Sequence, residues 1–522
     1  MTQSGNNAIF SGFYGRKPQK NEIHFNYQRN AHHNFCGNNV LVFSAEQIYR
    51  KIYTHKLLSK FLYQHFEITF ILNTPKSKKK EGKSMIRQHK TLGKLFLPIC
   101  LETLFYMLAG MVDTLMLSSV GNDAVGAVGT ANTYIGVFII MFSVISTGVM
   151  AVMTQNIGAK RNGVAYQAKQ IGLICNAILG GMLGIFLFFY SGNILHMISV
   201  SPGLFDKANI YMQIVGGACI FHALIPIFSG YLRAFGYTQS SLYASVIGNI
   251  VNFILNAIFL YLLHWGVAGV AFATVISKVI NLCIVILQAR IMIHAHKSPE
   301  RIKNKEIFKQ ILKIGFPSAM ETAIYNIAMT LVIRYLNQMD TNGFNVAARS
   351  YTAQITNFSF CAGAALAQAN AIMTGWFIGA GEYEKCDKTT KKSAKIGIGI
   401  AIMIAGLIAL FGQIIMLLFT SDQEMIQIVV KLLFIDVILE IGRVTNLIFG
   451  NALKTSGDTF FPMFLAAIFM FSCAAGGTYL FGLRLHLLVI GAYIGLTADE
   501  CIRAIAMYLR WNTGKWKNHS FI

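Results

Sequence analysis

From residue 93 onward the chain alternates between long apolar blocks and short polar or charged connections. About 20 consecutive apolar residues let a helix cross a bilayer. Twelve blocks of that kind centre near residues 106, 138, 180, 220, 251 and 279, then 324, 360, 406, 438, 469 and 498. Lipid satisfies no open strand edge, and the two-residue alternation of a membrane barrel is missing, so each block is read as a helix. The expected fold is an all-α polytopic membrane protein of twelve transmembrane helices.

Composition agrees: 54% of the 522 residues are hydrophobic and 13% charged, where soluble domains carry about 25% charge. The net charge of +22 suits nucleic acid only until its distribution is read. One set of connections carries Lys160, Arg161 and Lys169, Arg233, the stretch from Arg290 to Lys313, Lys385 to Lys395, and Lys454; the alternate set, such as "SVGNDA", "HWG" and "QMDTNG", is short and neutral or acidic. The positive-inside rule then puts the basic connections and both termini in the cytoplasm of a bacterial inner membrane, with lipid and not nucleic acid as the surroundings. Nine cysteines, none in a CxxC pair, read as small buried hydrophobes, with no metal site implied.

Residues 1–84 differ: polar, basic, without a spanning block and ending in "KSKKK". They read either as a tail on anionic lipid or as untranslated sequence before a start at Met85. Beyond them lie an N-lobe over 85–295, a charged linker over 296–306, a C-lobe over 307–514 and a cytoplasmic tail over 515–522.

The two lobes repeat each other. "LPICLET" (97–103) returns as "FPSAMET" (316–322), so Pro98 matches Pro317 and Glu102 matches Glu321. "MTQNIGA" returns as "MTGWFIGA", and "YLRAFGYT" (231–238) as "ALKTSGDT" (452–459), keeping Leu-basic-x-x-Gly-x-Thr. Six helices per half give both halves one orientation, hence a pseudo-two-fold axis along the membrane normal with a cleft between six-helix bundles.

Ionisable groups inside such blocks are functional candidates by default. Glu102 and Asp113 are eleven residues apart, about 20° from eclipsed at 100° per residue, so they share a face of the first helix. Pro98 and Pro317 permit bending there. Burial raises a carboxylate's pKa, which equips Asp113 to carry a proton. Na⁺ asks for the ionised acid with oxygen partners, and Asn249, Asn252 and Asn256 on the fifth helix and Thr274 on the sixth are placed to supply them. Interhelical hydrogen bonding is the other reading of those asparagines. In the second half Val332 stands where Asp113 would repeat; the tenth helix instead carries Asp436, Glu440 and Arg443, the last two spaced for an intrahelical ion pair. Neither GxxxxGK[ST] nor HExxH nor GxSxG occurs, so neither an ATP engine nor those hydrolase sites are expected.

Asp113 in "GMVDTLMLS" with Pro98, the "TQNIGAK" loop, "LKTSGDT" and the duplicated halves resemble the multidrug and toxic compound extrusion (MATE) transporters over about residues 90–514. The resemblance implies a pair of six-helix bundles around a central cavity, and export of drugs and toxins against inward H⁺ or Na⁺. It makes Asp113 the ion-coupling acid and brings Asn252, Asn256 and Thr274 to it, with Asn256 standing where many bacterial members carry a second aspartate. It makes Glu321 a functional glutamate of the seventh helix and adds Glu440 and Arg443 through "LEIGR". The expected activity is therefore antiport of small organic, cationic compounds by a monomer, with no cofactor beyond the coupling ion. Glu102, Glu321 and Asp436 would serve the cleft, and Pro98 and Pro317 the hinges. A lipid-linked oligosaccharide flippase and a membrane-embedded enzyme are the alternatives; the first asks for a cationic cavity and the second for a catalytic cluster.

Overall fold

The computed structural model describes residues 90–521 apart from 199, 296, 297 and 341, so the stretch 1–84 and Met85 lie outside the described residues. Twelve helical spans follow one another where the apolar blocks fall. The first six are α1 (Leu92–Ser118), α2 (Asn122–Gly158), α3 (Asn162–Met197), α4 (Pro202–Tyr211, Met212–Gly216 and Cys219–Ala234), α5 (Thr238–Ala257 and Ile258–Leu262) and α6 (Gly266–Met292). The second six are α7 (Asn304–Met339), α8 (Phe344–Gly379), α9 (Tyr383–Leu410 and Gly412–Met416), α10 (Gln423–Ser456), α11 (Phe460–Phe469, Met470–Ala475 and Thr478–Arg484) and α12 (Leu488–Asn512). No strand occurs among the described residues. Seven spans are long and apolar enough to cross a membrane by composition alone, and α4, bent by 45° at its break, makes an eighth. The remaining four fall short because polar residues lower their hydropathy: charged ones in α7, α10 and α12, and in α8 chiefly Gln, Asn, Ser and Thr.

The repeat extends to backbone detail. Both fifth helices of a lobe, α5 and α11, finish in a wide π-helical turn, and a histidine follows each in the left-handed region, His264 and His486, both at φ 53°.

Where the cores sit positions everything else. One cluster joins the lobes at the end bearing the basic connections: Leu95 and Ile99 of α1, Val149 and Ile157 of α2, Ile307 and Ile314 of α7, and Ala369 and Trp376 of α8. At the opposite end each lobe keeps a core of its own, around Met116, Ile135 and Leu260 in one and Val332, Leu433 and Tyr493 in the other. A cleft therefore separates the lobes at that end only.

The joining seam is backbone on backbone. A Cβ at Gly148 would stand 2.1 Å from the Ile311 carbonyl oxygen, and one at Gly315 1.8 Å from that of Val144, so α2 and α7 cross without side chains between them. The last residues reinforce the seam. Trp516 is buried, stacked on Trp511 at 4.2 Å. Beyond it the Phe521 N–H donates to Gln155 Oε1 at 3.2 Å, while Gln155 Nε2 donates to the Thr455 carbonyl at 2.6 Å.

The seam predicts that Gly315→Val destabilises the protein by about 1–3 kcal/mol or more, since a rigid carbonyl must yield to the new side chain. Gly399→Ala, at a helical glycine with open space around its Cβ, should be neutral or stabilising by up to about 1 kcal/mol. Thermal unfolding of the two variants in detergent checks the pair.

Candidate ion and substrate sites

The two repeated motifs dock onto each other, once in each lobe. A proline removes the donor for the carbonyl four residues before it, here those of Lys94 and Lys313. The Thr238 hydroxyl donates to the Lys94 carbonyl at 3.4 Å, and Thr459 to that of Lys313 at 3.0 Å. These threonines close the Leu-basic-x-x-Gly-x-Thr turns. Gly236 and Gly457 take φ of 82° and 101° there, which a residue with a Cβ adopts only with strain. The Tyr237 and Asp458 N–H groups reach back to the Leu232 and Leu453 carbonyls at 2.8 and 3.0 Å, a Schellman cap in each lobe.

The same turn brings a base to the motif's acid. Arg233 meets Glu102 at 2.6 Å, with Ser241 Oγ donating to the same oxygen at 3.0 Å; Lys454 meets Glu321 at 3.0 Å. Arg233 also donates across the seam to Gln368 of α8 at 2.7 Å. Arg233 and Lys454 thus correct their reading as loop residues: each lies in the last helical turn, of α4 and of α10. Glu102 and Glu321 are accordingly neutralised by built-in partners, a pairing that spacing along one helix does not reveal.

Asp113 sits further along α1, half-buried, on the face that also presents Glu102 to α5. Asn256 Nδ2 donates to its Oδ1 at 2.8 Å. With its amide nitrogen turned to the acid, the orientation that satisfies both groups, Asn252 donates to the two carboxylate oxygens at 2.7 and 3.2 Å. The third asparagine, Asn249, goes instead to the Phe105 carbonyl at 3.4 Å. Thr274 donates to the Val270 carbonyl at 2.9 Å and joins the buried Tyr211 hydroxyl, which also meets Asn132. Tyr211 and Asn132 are site residues that the sequence reading missed.

The C-lobe holds a cavity of about 530 Å³ between α7, α8, α10 and α12. Its charges are tied together across helices. Arg443 pairs with Glu440 one turn away and approaches Glu500 at 3.7 Å. Arg503 grips Asp499 with two hydrogen bonds of 2.7 and 2.8 Å and meets Glu500 at 3.1 Å, and Asn446 donates to Glu500 at 2.9 Å. Asp436 lines this cavity while 2% exposed, and its Oδ2 has no hydrogen-bond partner. Arg349 lines it from α8 with the Met329 sulfur, at 3.6 Å, as its hydrogen-bond acceptor. Asp499, Glu500, Arg503 and Arg349 were absent from the sequence expectation, although three of them stand as a charged cluster inside the twelfth block.

The MatE family profile matches residues 98–258 and again 317–480, one match per lobe. The chain belongs to the MATE family. It is 33% identical over 432 residues to the uncharacterized transporter YisQ of Bacillus subtilis, covering 82% of this chain and 94% of that protein. It is 23% identical over 443 residues to the probable multidrug resistance protein NorM of Thermotoga maritima, covering 83% and 94%. Among solved structures it resembles a MATE transporter of the MOP superfamily in an outward-facing conformation, with a TM-score of 0.75, 22% identity, and coverage of 85% of this chain and all of that one. The twelve-helix, two-bundle fold is the MATE fold.

Within this MATE chain the doubled acid–base pair makes a direct prediction. Glu321→Gln or Lys454→Met alone leaves a half-buried charge unpaired and should cost about 1–3 kcal/mol. The double variant should cost less than the sum, by about 0.5–3 kcal/mol. A double-mutant cycle on thermal stability measures it, and strict additivity would show that the pair does not interact.

Proposed function

We propose that the protein is a cation-coupled antiporter that exports organic cations across the bacterial inner membrane by alternating access. The split core carries this reading: the lobes are fused at one end and parted at the other, and the cleft lies between an N-lobe acid and a C-lobe acid–base cavity. The positive-inside rule makes the fused end cytoplasmic, so the cleft opens outward. The names of relatives, among them the multidrug resistance protein MdtK of Yersinia enterocolitica, support a drug-exporting role.

In this reading Asp113 takes the coupling ion, H⁺ or Na⁺. Asn252 and Asn256 hold the acid in place, and Thr274 reaches the site through Tyr211. Substrate enters the C-lobe side of the cleft. There Asp436 offers a cation the charge of its carboxylate in the cavity wall, and Tyr325, Phe360 and Tyr493 offer ring faces. Pro98 and Pro317 let α1 and α7 bend, because the threonine hydroxyl and not a helical N–H holds the carbonyl that each proline frees.

The test is ethidium movement in everted membrane vesicles, driven by a proton gradient alone and by a sodium gradient alone. Asp113→Asn should reduce transport by at least about 10-fold. Equal transport by wild type and variant would remove Asp113 from the coupling step, and absence of transport of every cationic dye would remove the substrate class.

A further inference from the structure

Lys278 lies near the middle of α6, in a stretch of apolar and small residues. Its Nζ stands 5.5 Å from the centre of the Tyr106 ring. Tyr106 precedes Asp113 by seven residues, about 20° short of two turns, so both lie on one stripe of α1. Lys278 follows Thr274 by four residues, again on one stripe, and Thr274 meets the Tyr211 hydroxyl beside Asp113. Lys278 and Asp113 make no direct ion pair, but the charge of each acts on the other across the gap between α6 and α1. From α4, His222 is a further titratable neighbour of the ammonium.

An ammonium at membrane depth needs a counter-charge. Glu102 is engaged by Arg233, and Asp123, at the parted end, by Lys207. Asp206 is exposed near the start of α4, at the parted end, so Asp113 is what remains at membrane depth in this lobe. Of the amides beside it, Asn256 turns an N–H donor to the carboxylate. Donors suit a bare anion, whereas a bound alkali-metal ion asks for oxygens.

We propose that Lys278 is a tethered cation standing in for the alkali-metal ion at Asp113, so that the N-lobe exchanges protons and neither binds nor uses Na⁺. The proposal rests on the antiport reading and narrows it to one coupling ion. With Asp113 ionised, the acid and the ammonium neutralise each other and a Na⁺ finds no net charge to meet. When a proton binds Asp113, the ammonium loses its counter-ion and keeps the Tyr106 ring face. That change in pairing between α1 and α6 is what proton binding does mechanically.

The test uses purified full-length protein and two readouts: Na⁺ binding by titration calorimetry without substrate, and dye export from proteoliposomes under a proton or a sodium gradient. Wild type should show no Na⁺ binding and should export on the proton gradient alone. Lys278→Met should gain Na⁺ affinity by about 100-fold through removal of the like charge, and Asp113→Asn on that background should abolish the gain. Lys278→Arg keeps the charge and should stay indifferent to Na⁺. Lys278→Gln serves where the methionine variant is not recovered folded. Na⁺ binding by wild type, or a neutral variant as indifferent as wild type, overturns the proposal. If no dye moves on either gradient while the titrations come out as expected, the antiport reading fails and the assignment of Lys278 stands.

Discussion

A proline inside a membrane helix strands a carbonyl that lipid cannot satisfy, and this chain does it twice. An unsatisfied polar group in hydrocarbon costs several kcal/mol, so the carbonyls of Lys94 and Lys313 must be answered from another helix. Thr238 and Thr459 answer them. The turn that delivers each threonine also delivers a base to the acid one helical turn past the proline. The duplicated Pro-x-x-x-Glu and Leu-basic-x-x-Gly-x-Thr motifs are thus two halves of one clamp. It fastens the first helix of each lobe to the turn after the lobe's fourth helix, at the end where the lobes share a core. The far end of α1, which carries Asp113, is left out of the clamp.

Outside the clamp the lobes have diverged in how they handle charge. The N-lobe keeps one acid against two amides and an ammonium. In the C-lobe, Val332 fills the place of Asp113 and is fully buried in an apolar cluster. The acids have moved to α10 and α12, where Arg443 and Arg503 cross-link them. Each arginine meets more than one carboxylate, so losing a single acid leaves its base still compensated. Asp436 stands apart from this bonding, a buried acid in the cavity wall whose Oδ2 has no hydrogen-bond partner. A duplicated scaffold has thereby acquired a simple charged site in one lobe and a cross-linked one in the other.

The fold was readable because lipid permits few solutions: apolar block length gives the helices, basic connections their alternation, and repeated motifs the two bundles. The site was readable where one helix carries the signal, as with Asp113 and the asparagine stripe. It was not readable where the signal is the register between helices. Arg233 and Lys454 sit next to glycine turns and look like loop charges until the Schellman caps show that the helix continues through them. Lys278 is a single charged letter in an apolar block, without a local partner to mark it. Glu500 and Asn446 are 54 residues apart and meet only because α10 and α12 pack together.

The seam itself bears on how the cleft could change sides. Side chains interlocked across an interface must leave their rotamer wells before two lobes can rock, and close-packed interiors resist that. At the α2–α7 crossing the closest contact is glycine against carbonyl in both directions, so the helices interlock only through the apolar side chains that flank it. Beside the apolar cluster, polar bonds oppose opening at this end: Arg233 to Gln368, the Trp376 indole to the Ala234 carbonyl, Gln155 to the Thr455 carbonyl, and Phe521 to Gln155. Water entering an opening seam can replace each of them. Arg233 is the member of that set that also neutralises Glu102, so a change in the charge of Glu102 would alter the clamp of α1 and the cross-lobe contact in one step. The proline–acid motif then links the bend of a helix to the closure of the seam through a single guanidinium.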